Sequence, residues 1–160
     1  MTTHYKGSDI ENQALDTFIK LTRASNTVLS YLGTMGTYGD LTVSQFGVME
    51  TLFHLGPLPH CDISSKQLKS TGNMTLVIDN LEKRGLVERI RSTEDRRVVM
   101  VHLTRKGEKL ISALFPLHVN QIVEMLSVLS EKEQAQLGAL CKKLGTALAE
   151  KEVVGHLVES

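Results

Sequence analysis

Apolar positions recur at helical spacing along most of the chain. The capping residues, glycines and prolines between them mark six helical stretches and one hairpin. Over residues 9–32, Ile10, Ala14, Leu15, Phe18, Ile19, Leu21, Val28, Leu29 and Leu32 form a helical stripe. Gly33, Gly36 and Gly39 end it. Thr42-Val-Ser-Gln45 is a capping box, flanked by Leu41 and Phe46 at the positions of a hydrophobic staple. The helix it opens buries Phe46, Val48, Met49, Leu52 and Phe53, and Gly56-Pro57 stops it. Residues 60–68 form a short helical segment anchored by Ile63 and Leu68. After a KSTG turn, Ser70 or Thr71 caps a helix that runs to about Arg84. Its buried face is Met74, Val77, Ile78 and Leu81, spaced i, i+3, i+4, i+7. Gly85 stops this helix and Leu86 closes it.

The pattern then changes period. VERIR (87–91) and RVVMVHL (97–103) are rich in β-branched residues or alternate, and the polar STEDR joins them as a hairpin. Thr104 caps a long helix in which Pro116 predicts a kink or break near Phe115, with resumption to about Leu129. Ser130-Glu-Lys-Glu133 is a second capping box. The helix after it reaches about Glu150, with Leu137, Leu140, Cys141, Leu144 and Leu148 on one face, and the tail KEVVGHLVES either extends it or frays. The fold class is mostly α with a small β-hairpin (α+β). Residues 60–85 are helix, turn, helix, and a hairpin directly after that unit is a wing.

Composition adds a direction. The 160 residues suit about one domain, large enough for a core without staples. The net charge is zero, but residues 60–110 hold eleven Lys/Arg against seven Asp/Glu, leaving +4 in the middle and −4 at the ends. A basic centre fits a phosphate-binding surface. No apolar run is long enough to span a bilayer, and MTTHYKGSDIENQ lacks the apolar run of a secretory signal. A cytoplasmic protein that does not engage membranes is expected. Cys61 and Cys141 are expected as free thiols.

Candidate chemistry gathers on residues 70–104. Ser70, Thr71, Asn73 and Thr75 lie at the start of the second helix of the helix-turn-helix, off its apolar face. Their hydroxyls and amides suit phosphate or base edges, and Asn suits adenine. Capping is the alternative role of Ser70 or Thr71. Leu76 would be exposed beside them, facing a thymine methyl or a neighbouring helix. At the hairpin, Arg97 can enter a narrow minor groove, with Asp95 on the same side to hold its guanidinium. Arg96 faces phosphate. Arg91, Arg89 and Lys69 are further phosphate candidates, or simply a solvated face.

Three stretches carry a family resemblance: GNMTLVIDNLEKRGLVER, then STEDRRVVMVHLTRKG, then LSEKEQAQLGALCKKLG, preceded by FIKLTRASN and LTVSQFGVMETL. In this order and spacing the chain resembles the MarR family of winged helix-turn-helix transcription regulators over nearly its whole length. The resemblance implies a homodimer with interleaved terminal regions and two winged lobes on successive major grooves of a pseudo-palindromic site. It implies a DNA-binding regulator, expected to be a repressor, released by a small-molecule or oxidant signal. The implied layout is 1–40 as an N-terminal dimerisation helix, 41–104 as the DNA-binding domain and 105–160 as C-terminal dimerisation helices. The chain departs from the family pattern at Leu76 and Asn80, near which many relatives carry arginine.

A family-type pocket for a small aromatic ligand would draw on Phe18, Leu21, Tyr31, Phe53, Phe115 and His118, most of which also suit a core; His118 is expected at the subunit interface. Cys61, at a helix start beside His60 and Asp62, is the candidate redox thiol. Redox members of the family, however, carry theirs in the first helix. No metal site is expected, because the six histidines include no His-x₃-His pair on one helix face, and no cofactor is expected. An enzyme is disfavoured: adjacent His60 and Cys61 point apart on a helix, with no third group to orient them. The remaining alternative is a winged-helix module for protein–protein contact without DNA binding, against which the charged wing argues.

Overall fold

The computed structural model describes residues 4–67, 71–92, Asp95 and 97–158. The chain divides into two units, Met1–Gln121 and Ile122–Ser160, each taken by itself below.

In the first unit, α1 (Asp9–Thr34) starts at Ser8. The Ser8 hydroxyl accepts from the Glu11 amide at 3.4 Å, and the Glu11 carboxylate accepts from the Ser8 amide at 2.7 Å. This is a capping box. The following turn places Gly36 and Gly39 at positive φ and buries Thr37 and Tyr38. Helix α2 (Val43–Leu55) carries the expected capping box between Thr42 and Gln45. Phe46, Gly47, Val48, Met49 and Leu52 are all buried, so this helix is apolar on more than one face and sits at the centre of the unit. Phe53, expected in that core, is instead exposed.

A two-residue strand, β1 (Leu58–Pro59), was not legible in the loop signal of Pro57 and Pro59. It leads into α3 (His60–Lys66), and α4 (Thr71–Lys83) completes the helix-turn-helix. Gln67 ties α3 to α2 by donating to the Gly47 carbonyl and the Thr51 hydroxyl, both at 2.9 Å. Met74, Ile78 and Leu81 of α4 are fully buried. Gly85, at φ 67°, ends the helix: its amide donates to the Glu82 carbonyl and the Leu86 amide to the Leu81 carbonyl. That pair of bonds is a Schellman motif.

Strands β2 (Val87–Arg91) and β3 (Val99–Leu103) pair antiparallel with Arg89 opposite Val101, and β1 adds to the far edge of β3, giving the order β1-β3-β2. Val87 and Val101 point into the core with Leu86 and Ile63. Thr104 caps α5 (Arg105–Leu126), accepting from the Gly107 amide at 3.1 Å and donating to the Gly85 carbonyl at 2.7 Å. The helix runs through Pro116. The expected break is therefore corrected.

In the second unit, the Ser130–Glu133 capping box starts α6 (Glu131–Val158), which extends into the tail, the first of the two courses expected for it. Leu137, Leu140, Leu144 and Leu148 lie exposed along it. Among the described residues no single helix is long and apolar enough to cross a membrane.

Candidate nucleic-acid interface

The buried face of α4 dictates what its other faces present. With Met74, Ile78 and Leu81 turned inward, Asn73, Thr75 and Leu76 are exposed in the first turns, Leu76 at 61%. Thr71 begins the helix. Ser70, Arg96 and Lys69 lie outside the described residues, as does the side chain of Thr71.

One stripe of α4 is committed to the rest of the unit. Thr75, Asp79 and Glu82 are spaced i, i+4, i+7 and so share a side of the helix. The Thr75 hydroxyl lies 3.2 Å from His60 Nε2 at the start of α3. Asp79 and Glu82 both accept from the Arg89 guanidinium, Asp79 at 2.6 Å, and Glu82 also accepts from the Arg89 amide at 3.2 Å. Arg89 sits on β2, so these bonds fasten the first strand of the wing to α4. The expectation of Arg89 as a phosphate contact or solvated residue is corrected: its charge is spent inside the unit. Burial alone would lower the Arg89 pKa, but the bonds from Asp79 and Glu82 outweigh it and raise it.

The wing continues the β2–β3 ladder outward. The Ser92 amide donates to the Val98 carbonyl at 2.9 Å, and the Val98 amide to the Asp95 carbonyl at 2.9 Å. Arg91, Asp95 and Arg97 are exposed. The Asp95 carboxylate accepts from the backbone amide of Arg97 at 2.9 Å. Asp95 was expected to hold the Arg97 guanidinium. It fixes the path of the chain instead, as aspartate does in an Asx turn. At the base of the unit, the Arg84 guanidinium meets Asp40 at 2.6 Å and lowers the Asp40 pKa. Lys106 Nζ donates to the Arg84 carbonyl at 2.8 Å.

The candidate pocket residues divide into separate groups. Phe53 and Phe115 approach at 6.2 Å between ring centroids, with His54 against both. His118 is buried, packed on Tyr38 and Phe46, with its Nδ1 3.3 Å from the Thr37 hydroxyl. Burial lowers the His118 pKa, and the Glu50 charge opposes that shift. The expectation that His118 lines a subunit interface is corrected, because it lies inside the protomer. Phe18, Leu21 and Tyr31 lie exposed on α1, and among the described residues no ring contact joins Phe18 or Tyr31 to either cluster. Cys61 is exposed, and its thiol donates to Asp62 Oδ1 at 3.4 Å; Cys141 is also an exposed free thiol. Among the described residues no group of three or more His, Cys, Asp and Glu is placed to hold a metal ion.

His60, Asp79, Glu82 and Arg89 were the partners that sequence reasoning missed. Their spacing along the chain carried no signal, because each bond crosses between elements.

Comparison with known proteins fits this geometry. A family model described as MarR family matches residues 41–99, from just before α2 to the first residue of β3. The HTH-type transcriptional regulator MhqR of Bacillus subtilis (strain 168) is 36% identical over 133 residues, which is 83% of this chain and 92% of that protein. Streptococcus pneumoniae FabT, solved in complex with DNA, superposes with a TM-score of 0.67 at 26% identity, covering 86% of this chain and 97% of that one. Bordetella bronchiseptica BpsR, whose DNA binding is regulated by 6-hydroxynicotinic acid, gives a TM-score of 0.70 at 25% identity over 81% and 98% of the two chains. With the helix-turn-helix, the wing and a regulator matched over nearly its full length, the chain belongs to the MarR family of winged helix-turn-helix transcriptional regulators.

Proposed function

We propose that this chain is a repressor, not an enzyme, that acts in the cytoplasm as a homodimer on a pseudo-palindromic DNA operator. Each protomer would place α4 in a major groove, with Asn73, Thr75 and Leu76 toward base edges and Ser70 and Thr71 toward the backbone. The wing would follow the adjacent minor groove, Arg97 entering it and Arg91 and Arg96 meeting phosphate. The observation that carries this reading is the α4–wing unit itself. An exposed, uncharged polar helix start and an exposed arginine-bearing hairpin are locked together by Arg89.

Dimerisation is supported by the apolar side chains that the single chain leaves uncovered. Ile10, Phe18 and Leu29 on α1 are exposed, as are Leu140 and Leu148 on α6. Exposed apolar patches of this kind mark interaction surfaces. We assign residues 1–40 and 105–160 to dimerisation and 41–104 to DNA. The regulation of BpsR by 6-hydroxynicotinic acid supports release by a small aromatic ligand. The candidate lining is Phe53 and Phe115, with Phe18, Leu21, Tyr31 and His118 as further candidates. Exposed Cys61 is the candidate for an oxidant signal.

The test is footprinting on the DNA upstream of the protein's own gene, followed by affinity measurements across a salt series and sedimentation of the free protein. A protected inverted repeat, a steep fall of affinity with salt and a dimer are expected. Affinity independent of salt, or a monomer at micromolar concentration, would sink the proposal. Adding aromatic acids or peroxide to the same complex tests release.

A further inference from the structure

We infer that Gly72 and Leu76 form an apolar notch on α4 that reads the C5-methyl group of a thymine in each half-site. The inference rests on the reading of α4 as the groove helix. With Met74, Ile78 and Leu81 buried, a helical repeat places Gly72, Leu76 and Lys83 on the opposite side of α4. Leu76 stays largely uncovered there by the rest of the chain. Gly72 lies one turn before it, on the same side. A Cβ built on Gly72 would meet nothing within 4 Å, and its φ is not in the left-handed region. Neither packing nor backbone conformation therefore calls for glycine, which is a poor helix former. What glycine leaves is bare backbone that a second molecule can approach closely. A long helical side chain leans toward the N-terminus of its helix, so Leu76 lies over the turn that Gly72 begins.

The chemistry of the notch narrows its occupant. Leucine offers no hydrogen bond, and the apolar group that base edges present in the major groove is the thymine C5-methyl. The basic residue of α4 is Lys83, in the last turn, so the first two turns bring no ammonium or guanidinium to the guanine acceptors. The acidic residues of α4, Asp79 and Glu82, are both held by Arg89. Neither carboxylate is therefore free to oppose the approach of DNA. Asn73, exposed on one flank of the notch, suits an adenine edge. Leu76 and Asn73 together suit A·T pairs.

Sequences bound by the full-length protein are first selected from a randomised duplex pool. Each thymine of the selected duplex is then replaced singly by uracil, which removes the C5-methyl and keeps the pairing. Binding is measured for the wild type, Leu76→Ala, Leu76→Met, Gly72→Ala and Asn73→Ala. For the wild type, uracil at one position should weaken binding by about fourfold per half-site, the value of one buried methyl group. That ratio should hold across a salt series, because a methyl contact releases no counterions. Leu76→Ala should remove the thymine preference at that position, and Leu76→Met should keep most of it. Gly72→Ala, which fills the notch, should lower affinity more for the thymine duplex than for the uracil duplex. A wild type indifferent to uracil at every position overturns the inference. So does a uracil penalty that persists unchanged in Leu76→Ala, since it would report the deformability of the duplex. If Asn73→Ala relaxes the preferred sequence while uracil costs nothing, α4 remains the groove helix and only the notch falls. If neither Asn73→Ala nor Leu76→Ala changes the selected sequence, the reading of α4 fails and the inference falls with it.

Discussion

The Arg89 guanidinium on β2 lies 2.6 Å from the Asp79 carboxylate on α4, so the wing and that helix are joined by a charge pair, not by packing alone. Replacement by methionine keeps much of the stem and removes the charge. It leaves half-buried Asp79 without the guanidinium and Glu82 with only the residue-89 backbone amide as donor. The expected loss is about 1–2 kcal/mol in urea denaturation, from hydrogen bonds to a charged group discounted for partial solvent exposure. DNA affinity should fall further than the stability change requires, because the wing loses its fixed relation to α4. Equal stability and equal affinity in Arg89→Met would show that the pair positions nothing.

Gly107 sets the closeness of α5 to the turn after α4. A Cβ built there would lie 2.0 Å from the Leu86 carbonyl oxygen, a backbone atom that cannot swing aside. That carbonyl accepts from the Thr104 amide at 3.1 Å, so moving it disturbs the entry to α5 as well. Gly107→Ala is expected to cost about 1–3 kcal/mol, the range for overpacking a tight site. Gly47→Ala provides the contrast, since its nearest neighbour is the Gln67 amide, a side chain that can turn. Chemical denaturation of the two variants should show the larger loss at Gly107.

His118 makes stability depend on pH in a stated direction. Burial lowers its pKa in the folded protein below the ordinary value of 6.5. The unfolded chain therefore takes up a proton first as pH falls, and stability rises with pH wherever the unfolded state binds more protons. The neutral ring is fully compatible with the fold above the unfolded value, and stability is lost as pH drops through that value to the folded one. Urea midpoints at pH 7.5 and pH 5 should differ more for the wild type than for His118→Gln, which has no proton to gain. Parallel pH dependence in the two proteins would remove His118 as the cause.

Much of the fold was legible because its signals are local. The Thr42–Gln45 and Ser130–Glu133 boxes, the Met74-Val77-Ile78-Leu81 face and the Gly85 stop each depend on residues within one or two turns, and the helices start or end where those residues lie. The Ser8–Glu11 box was equally local and went unread, though the S-x-x-E signal is present. Strand β1 was not legible, since two residues become a strand only when β3 offers its edge. The site was legible in outline, as a polar helix start followed by a charged hairpin. Its internal bonds were not: Thr75 meets His60 across fifteen positions, and Arg89 reaches Asp79 between a helix and a strand. Of the kink or break expected near Phe115, the break does not occur. A proline removes a donor and disfavours continuation, but α5 continues around it.

Asp95 and Arg97 allow backbone positioning to be separated from charge positioning at the wing. The Asp95 carboxylate accepts from the Arg97 amide at 2.9 Å, a bond that asparagine can also accept. Asp95→Asn should therefore bind the operator nearly as the wild type does, while Asp95→Ala, which loses the turn, should bind more weakly. Were the carboxylate holding the guanidinium by charge, Asn and Ala would weaken binding alike. Arg97→Ala should cost about 1–3 kcal/mol of operator affinity, as for a side chain that enters a groove, and leave the dimer intact. Anisotropy titrations of the footprinted duplex at one fixed salt concentration, with sedimentation of each variant, measure all three. Unchanged affinity in Arg97→Ala would remove the wing arginine from the interface.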